Sequence, residues 1–136
     1  MKQSVMLTIT SLLSILFMTF HLADDIVFEM ASPRFASLFA VLVFVIWLYG
    51  TLVLAERRAG YIIILLGSLL GLLVPVIHMK GARGVLGGEI GNSTQAFFFV
   101  WTLLALGVTS MFSALLSAHA LWRLPWRRSR RASPAA

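Results

Sequence analysis

Four long apolar stretches, separated by short polar ones, are the feature that most limits what this chain can fold into. They cover roughly residues 4–23, 35–55, 61–79 and 96–122. Each is close to the roughly 20 residues that a helix needs to cross about 30 Å of hydrocarbon. Because lipid offers the backbone no hydrogen-bond partners, a segment of this length inside it is helical. The sequence therefore predicts an all-α fold, an integral membrane four-helix bundle.

The composition supports a single membrane-embedded domain. The hydrophobic fraction is 60% and the charged fraction 12%, whereas soluble domains have about 45–50% and about 25%. With 136 residues one domain is expected, and the absence of cysteine excludes disulfides and thiol chemistry. The net charge is +6. Because most basic residues flank the apolar stretches or lie in the C-terminal tail, we expect no nucleic-acid partner.

Proline and glycine positions predict where the helices begin and end. Pro33 suits the first position of a helix, and Gly60 can supply the positive φ that ends one. The expected helices cover about 4–31, 33–56, 60–79 and 93–122, and a basic tail at 123–136 is expected to be disordered. A short turn joins helices 2 and 3, so these two should be antiparallel neighbours.

The first apolar stretch could instead belong to a cleaved signal peptide, since Lys2 precedes it. Its apolar run is longer than the usual core of about 7–15 residues, and no A-x-A-like cleavage site follows it. We therefore expect it to remain as the first helix.

The distribution of lysine and arginine predicts the orientation. One side of the membrane would carry Lys2, Arg57, Arg58, Arg123, Arg127, Arg128, Arg130 and Arg131, and the other Arg34, Lys80 and Arg83. Cytoplasmic segments carry the excess of positive charge. Both chain ends and the turn between helices 2 and 3 are therefore expected in the cytoplasm, with the lipid bilayer as the main partner.

A polar cluster is expected at the outer end of helix 1. His21, Asp24, Asp25 and Glu29 are spaced three and four apart, so they share one helix face. This pattern is typical of a cation site or of the entrance to a proton relay. It is also typical of a solvated helix end, which the place of these residues at the membrane boundary favours, and both interpretations stay open.

Helix 3 carries a face of small residues. Gly67 and Gly71 form the small-xxx-small pattern that allows two helices to approach closely. Pro75 lies on the same face and is expected to bend the helix, because it cannot donate to the carbonyl of Gly71. His78 ends this face near the outer side, and we expect it to point into the bundle.

The two outer histidines could form one site. Helices 1 and 3 run in the same direction, so His21 and His78 lie at the same membrane level. Together with Asp25 they could bind a transition metal, or they could hold a haem iron axially. A structural hydrogen-bond cluster is the alternative, and the sequence leaves open whether helices 1 and 3 are adjacent or diagonal.

Helix 4 and the short turn carry weaker signals. Ser110, Ser113 and Ser117 form a hydroxyl stripe, which favours interhelical hydrogen bonds over a polar permeation path. His119 is expected at the membrane interface. Glu56, beside two arginines, is interpreted as part of the topology signal.

Five short stretches resemble a known group of proteins. They are HLADD from His21, WLYGTL from Trp47, LAERRAGY from Leu54, PVIHM from Pro75 and FVWTLLA from Phe99. Together they resemble a group of uncharacterised bacterial four-helix integral membrane proteins. The resemblance covers most of the chain and implies the bacterial inner (plasma) membrane, but it implies no activity.

Three functions are compatible with these features. The first is an accessory or structural subunit of a homo-oligomer or larger membrane complex. The second is a metal- or haem-binding membrane protein that uses His21 and His78, and the third is an oligomeric small transporter or channel. No charged residue lies near the middle of a span, where coupled transport needs one. The chain lacks the G-x-S-x-G and H-E-x-x-H motifs, so we do not expect an enzyme.

Overall fold

The computed structural model describes residues 2–27, 35–80 and 94–124, and all of the secondary structure in these ranges is helical. The four helices are α1 (Lys2–Val27), α2 (Phe35–Leu52), α3 (Arg58–Lys80) and α4 (Thr94–Arg123). The all-α architecture agrees with the sequence prediction.

Three of these helices are long and apolar enough to cross a membrane. The candidate spans are Gln3–Asp24, Arg58–His78 and Phe97–Arg123, and a shorter apolar segment covers Leu38–Leu52 in α2. Their length and composition suggest a membrane protein.

The helices form a bundle in the cyclic order α1, α4, α3, α2. The most extensive packing joins α4 to α3 and to α1, whereas α1 and α3 meet only slightly across a diagonal. On α3, Gly71 lies beside Ser110 and Pro75 beside Gly107 of α4. The residue numbers rise along α3 as they fall along α4, so these two helices are antiparallel.

The two ends of the bundle differ in chemistry. We call the end that carries His21 and His78 the histidine end. The opposite end carries the exposed side chains of Arg57, Arg58 and Arg123, and we call it the basic end.

The interior is rich in small hydroxyl side chains, and the exterior is apolar. Eight serines and threonines in the described ranges are at most 1% exposed: Ser11, Ser14, Thr51, Ser68, Thr102, Ser110, Ser113 and Ser117. Large apolar side chains are exposed on all four helices. A soluble protein buries its large apolar side chains instead, so this distribution of polarity suits a lipid environment.

Trp47 ties α2 to α1 and α3. Its side chain is 1% exposed, and its Nε1–H donates to Ser11 Oγ at 3.0 Å. The hydroxyls of Ser11 and Thr51 are 2.7 Å apart, and Thr51 also donates to the Trp47 carbonyl at 2.9 Å. The indole ring covers Gly67, where any Cβ would collide with it. The small residues on three helices therefore create the space that one large side chain fills.

The turn between α2 and α3 differs from the expected one. The second helix ends at Leu52, not near 56, and the third begins at Arg58, not at 60. Glu56 is the only non-glycine residue in the described ranges with a positive φ, which is 64°. Gly60 lies inside α3 and its φ is not in the left-handed region, so the prediction that it supplies the positive φ at the end of helix 2 is wrong.

Gly60 has a different role in this turn. It lies in the first turn of α3, where a Cβ would overlap the carbonyl oxygen of Leu54 and approach that of Gly50 to 2.9 Å. A side chain would push the turn away from the helix, so this position needs glycine for close approach rather than for its φ.

Several expectations lie outside the described residues. They are the end of helix 1 beyond 27, the start of helix 2 at 33, the start of helix 4 at 93, and the tail from 125 to 136.

Candidate functional site

The structure brings the two predicted histidines together at the histidine end. His21 of α1 is 2% exposed, and His78 of α3 is half-buried. Their ring centroids are 4.6 Å apart, with the rings perpendicular in an edge-to-face arrangement. Although α1 and α3 are diagonal, both rings point to the axis of the bundle, where they meet.

Phe99 of α4 forms the third wall of this site. Its ring centroid lies 5.1 Å from that of His21 and 5.9 Å from that of His78. No sequence pattern singled out Phe99 for this role, although its place near the start of α4 puts it at the same level as the histidines. Phe97 and Phe98 are exposed while Phe99 is buried, and no periodic signal separates three consecutive phenylalanines.

A backbone carbonyl fixes the tautomer of His78. Its Nδ1 lies 2.9 Å from the carbonyl oxygen of Val74. A carbonyl can only accept a hydrogen bond, so Nδ1 must carry the proton. In the neutral ring Nε2 therefore has the lone pair, and it can accept a proton or bind a metal.

The expected carboxylates are only partly described. The side chain of Asp24 is half-buried one helical turn from His21. The side chain of Asp25 and all of Glu29 lie outside the described residues, so their predicted part in the site stays a prediction. Within the described parts of the chain, no group of three or more His, Cys, Asp or Glu side chains is arranged to hold a metal ion.

The geometry fits the two proposed ligands differently. Two axial histidines hold a haem iron from opposite faces of the porphyrin. Rings with centroids 4.6 Å apart, one edge against the other face, leave no room for a porphyrin between them. A single metal ion needs only converging ring nitrogens, which this arrangement can offer, but further ligands must come from other groups.

The predicted packing face of helix 3 serves two neighbours. Gly67 lies against Trp47 of α2. Gly71 lies against Ser110 of α4. Pro75 packs on Gly107 of the same helix, and a Cβ added at Gly107 would lie 3.5 Å from Pro75 Cγ. The three residues therefore allow close contact on two sides.

The hydroxyl stripe of α4 is buried but does not bond across helices as predicted. Ser117 donates to the carbonyl of Ala114 in its own helix, at 3.0 Å. Within the described ranges, the buried hydroxyls of Ser110 and Ser113 have no hydrogen-bond partner. Ser110 lies against Gly71, so its small size, which lets α3 and α4 approach, accounts for its position better than hydrogen bonding does.

The remaining candidate residues lie at the basic end. His119 is exposed there, and Glu56 lies in the turn between α2 and α3. No Asp, Glu, Lys or Arg appears among the buried residues that the structure describes. The described interior thus offers no mid-span charge of the kind that coupled transport uses.

Comparison with protein-family models, curated proteins and solved structures finds no match for this chain. Its function must therefore be inferred from its own geometry.

Proposed function

We propose that this protein is a four-span protein of the bacterial inner membrane that acts as an accessory or structural subunit. It would assemble, through the outer face of α4, with a second copy or with another membrane subunit. Both termini would lie in the cytoplasm. The Lys/Arg distribution supports this orientation, and the resemblance to bacterial four-helix membrane proteins supports the location.

One observation carries the subunit role: a regular seam of large apolar side chains along the outer face of α4. We call it the α4 seam. Its members are separated by four and three residues in alternation, and all are 45–73% exposed: Phe97, Trp101, Leu104, Val108, Met111 and Leu115. This 3-4 alternation is the spacing with which helices pack against each other in coiled coils and in most bundles.

The chemistry of the α4 seam supports a helical partner. Its two aromatic side chains, Phe97 and Trp101, present large and rigid surfaces, which dominate the energetics of many interfaces. The inner side of the same helix is occupied by α1 and α3, so the α4 seam belongs to the outer side, which these two helices leave uncovered.

Cysteine cross-linking in native membranes tests this proposal. The chain contains no cysteine, so Val108→Cys gives a single reactive site in the middle of the seam. We expect oxidation to yield a dimer-sized species if the partner is a second copy. If the partner is another subunit, a photoreactive probe at the same position should yield a larger heterologous species.

A matched control is available on α3. Leu69 is exposed to a similar extent but lies off the seam, so Leu69→Cys should give neither product. If positions along the whole seam yield no cross-link with either reagent, the α4 seam faces lipid and the subunit role loses its support.

The histidine site favours a second candidate function, the binding of a transition-metal ion. The observation behind it is the pair of histidine rings, whose centroids are 4.6 Å apart. Imidazole nitrogens suit zinc, copper and nickel. Asp24, Asp25 or water would complete the coordination.

Metal analysis of the purified protein tests this candidate. We expect about one Zn²⁺, Ni²⁺ or Cu²⁺ ion per chain, and we expect both His21→Ala and His78→Ala to lose it. His119→Ala is the control, because it removes an exposed histidine at the other end of the bundle. Metal-free protein after exposure to all three ions would leave the histidine pair with a structural role.

A further inference from the structure

A cavity of about 270 Å³ opens at the basic end of the bundle. It lies where α1 begins, where α4 ends and where the turn joins α2 to α3. Its lining consists of Gln3, Ser4, Leu7, Glu56, Tyr61, Ala120, Arg123 and Leu124. Its volume is close to the lower end of the range for small-ligand sites, about 300–1,000 Å³.

The backbone at the mouth of this cavity is strained at Glu56. This residue has φ 64°, a left-handed conformation that glycine adopts freely and most other residues avoid. The turn holds it there, because the Arg57 N–H donates to the Leu54 carbonyl at 3.0 Å and Gly60 allows the turn to press against α3. Strain of this kind is concentrated at ligand sites, and here it belongs to a charged residue that lines a cavity.

The lining combines two residues of opposite charge with apolar residues. Glu56 and Arg123 both belong to it, one with a carboxylate and the other with a guanidinium, and Tyr61 brings a phenol. Leu7 in the lining is buried, and Leu124 adds a further apolar side chain. A ligand that matches this lining carries a negative group, a positive group and an apolar part.

We propose that this cavity binds the headgroup of a phospholipid that carries both a phosphate and a primary ammonium. The guanidinium of Arg123 contacts the phosphate, for which its planar fork of donors is suited. The carboxylate of Glu56 accepts from the ammonium, and the ring of Tyr61 offers it a second, weaker attraction. The cavity lies at the end of the candidate spans, at the level of lipid headgroups, so the inference depends on membrane insertion but not on the α4 seam.

Lipid retention measured by native mass spectrometry tests the proposal. The protein is placed in vesicles of equal parts phosphatidylethanolamine, phosphatidylglycerol and phosphatidylcholine and then extracted in mild detergent. We expect the ethanolamine lipid to be retained about tenfold over each of the others, the ratio that one charge-assisted hydrogen bond can supply.

Two substitutions assign the charges. Glu56→Gly keeps the positive φ and removes the carboxylate, so we expect the preference over phosphatidylglycerol to disappear without a drop in melting temperature. Arg123→Gln should lower the retention of all phospholipids at this site. Asp24→Asn at the histidine end and Arg57→Gln, which removes a charge from the same turn outside the cavity lining, should leave the preference unchanged.

Competition experiments distinguish binding of the lipid headgroup from binding of free phosphate. Displacement by soluble phosphoethanolamine but not by inorganic phosphate supports recognition of the headgroup by both of its charges. Equal retention of the ethanolamine and glycerol lipids, or an unchanged preference in Glu56→Gly, would overturn the proposal. Failure of the chain to enter vesicles would contradict membrane insertion instead, which is a separate result.

Discussion

At the scale of single residues, Trp47 is the side chain on which the attachment of α2 depends most. It is buried, bonded to Ser11 and seated on Gly67, so it contacts two other helices. Few other side chains of α2 are buried. Small changes to this one ring should therefore be measurable in the stability of the whole bundle.

We expect Trp47→Phe to lower the free energy of unfolding by about 1–3 kcal/mol. It removes the donor to Ser11 and leaves a gap where the larger ring was. Thermal unfolding in detergent measures the effect. Trp122→Phe makes the same chemical change at a side chain that is 90% exposed and is not a member of the α4 seam. It should be nearly neutral, so equal effects would contradict the importance of the Trp47 contacts.

The histidine pair could be predicted from the sequence in part, and Trp47 could not. His21 and His78 lie on helix faces that also carry small or polar residues, and the parallel direction of α1 and α3 puts them at one level. Helix α2 is apolar on all sides, so no periodicity shows which face is buried. Hence neither Trp47 nor its bond to Ser11 follows from the pattern.

At the scale of elements, the contact between α3 and α4 depends on residues that are small. A Cβ at Gly71 would overlap Ser110 Oγ and lie 3.1 Å from its Cβ and 3.4 Å from Leu106 Cδ1. The small-xxx-small pattern predicted a close approach at this position. It could not predict that Gly67, one turn earlier, would face α2 instead.

We expect Gly71→Leu to destabilise the bundle by about 1–3 kcal/mol or more, because a leucine at this position separates α3 from α4. Ala118→Leu is the control, since it adds a side chain of the same size at an exposed position of α4. Melting temperatures of the two variants in the same detergent give the comparison. If Gly71→Leu melts like the parent protein, the close contact described for Gly71 does not control stability.

The turn between α2 and α3 shows what short-range rules leave out. Gly60, two residues after Arg58, was the natural candidate for a positive φ. The structure gives that conformation to Glu56 and uses Gly60 to bring the Leu54 carbonyl close to α3. Which residue in a turn is strained depends on the tertiary contacts of the turn, and these do not appear in local sequence.

At the scale of the whole molecule, the helical class was predictable because a lipid environment allows few alternatives. The cyclic order of the helices was not, since four apolar helices with short connections allow several arrangements. Orientation across the membrane is a further prediction, which depends on the charge asymmetry between the two ends.

We expect reporter fusions at both termini to show a cytoplasmic location. Fusions that follow Ala136 and fusions that precede Lys2 should both be active with a cytoplasmic reporter and inactive with a periplasmic one. The physical reason is the excess of lysine and arginine on that side. A periplasmic result at one end alone would contradict the count of four spans, and a periplasmic result at both ends would contradict the orientation.

The uneven burial of α2 has a consequence for the order in which the bundle comes apart. From Leu38 onward its fully buried residues are Trp47, Gly50 and Thr51, all near its C-terminal end, while α4 is held along its length by two neighbours. Regions with few buried contacts open at lower free energy than the rest of a protein. We expect the N-terminal half of α2 to swing away on warming before the other three helices separate.

Spin labels can detect this partial opening. Leu38 of α2 is 74% exposed and Phe97 of α4 is 73% exposed, so labels on single cysteines at these positions begin in similar surroundings. The label at position 38 should gain a mobile component well below the temperature of global unfolding, and the label at position 97 should not. If neither label gains a mobile component below that temperature, the contacts of Trp47 hold the whole of α2. The four helices would then separate in one step.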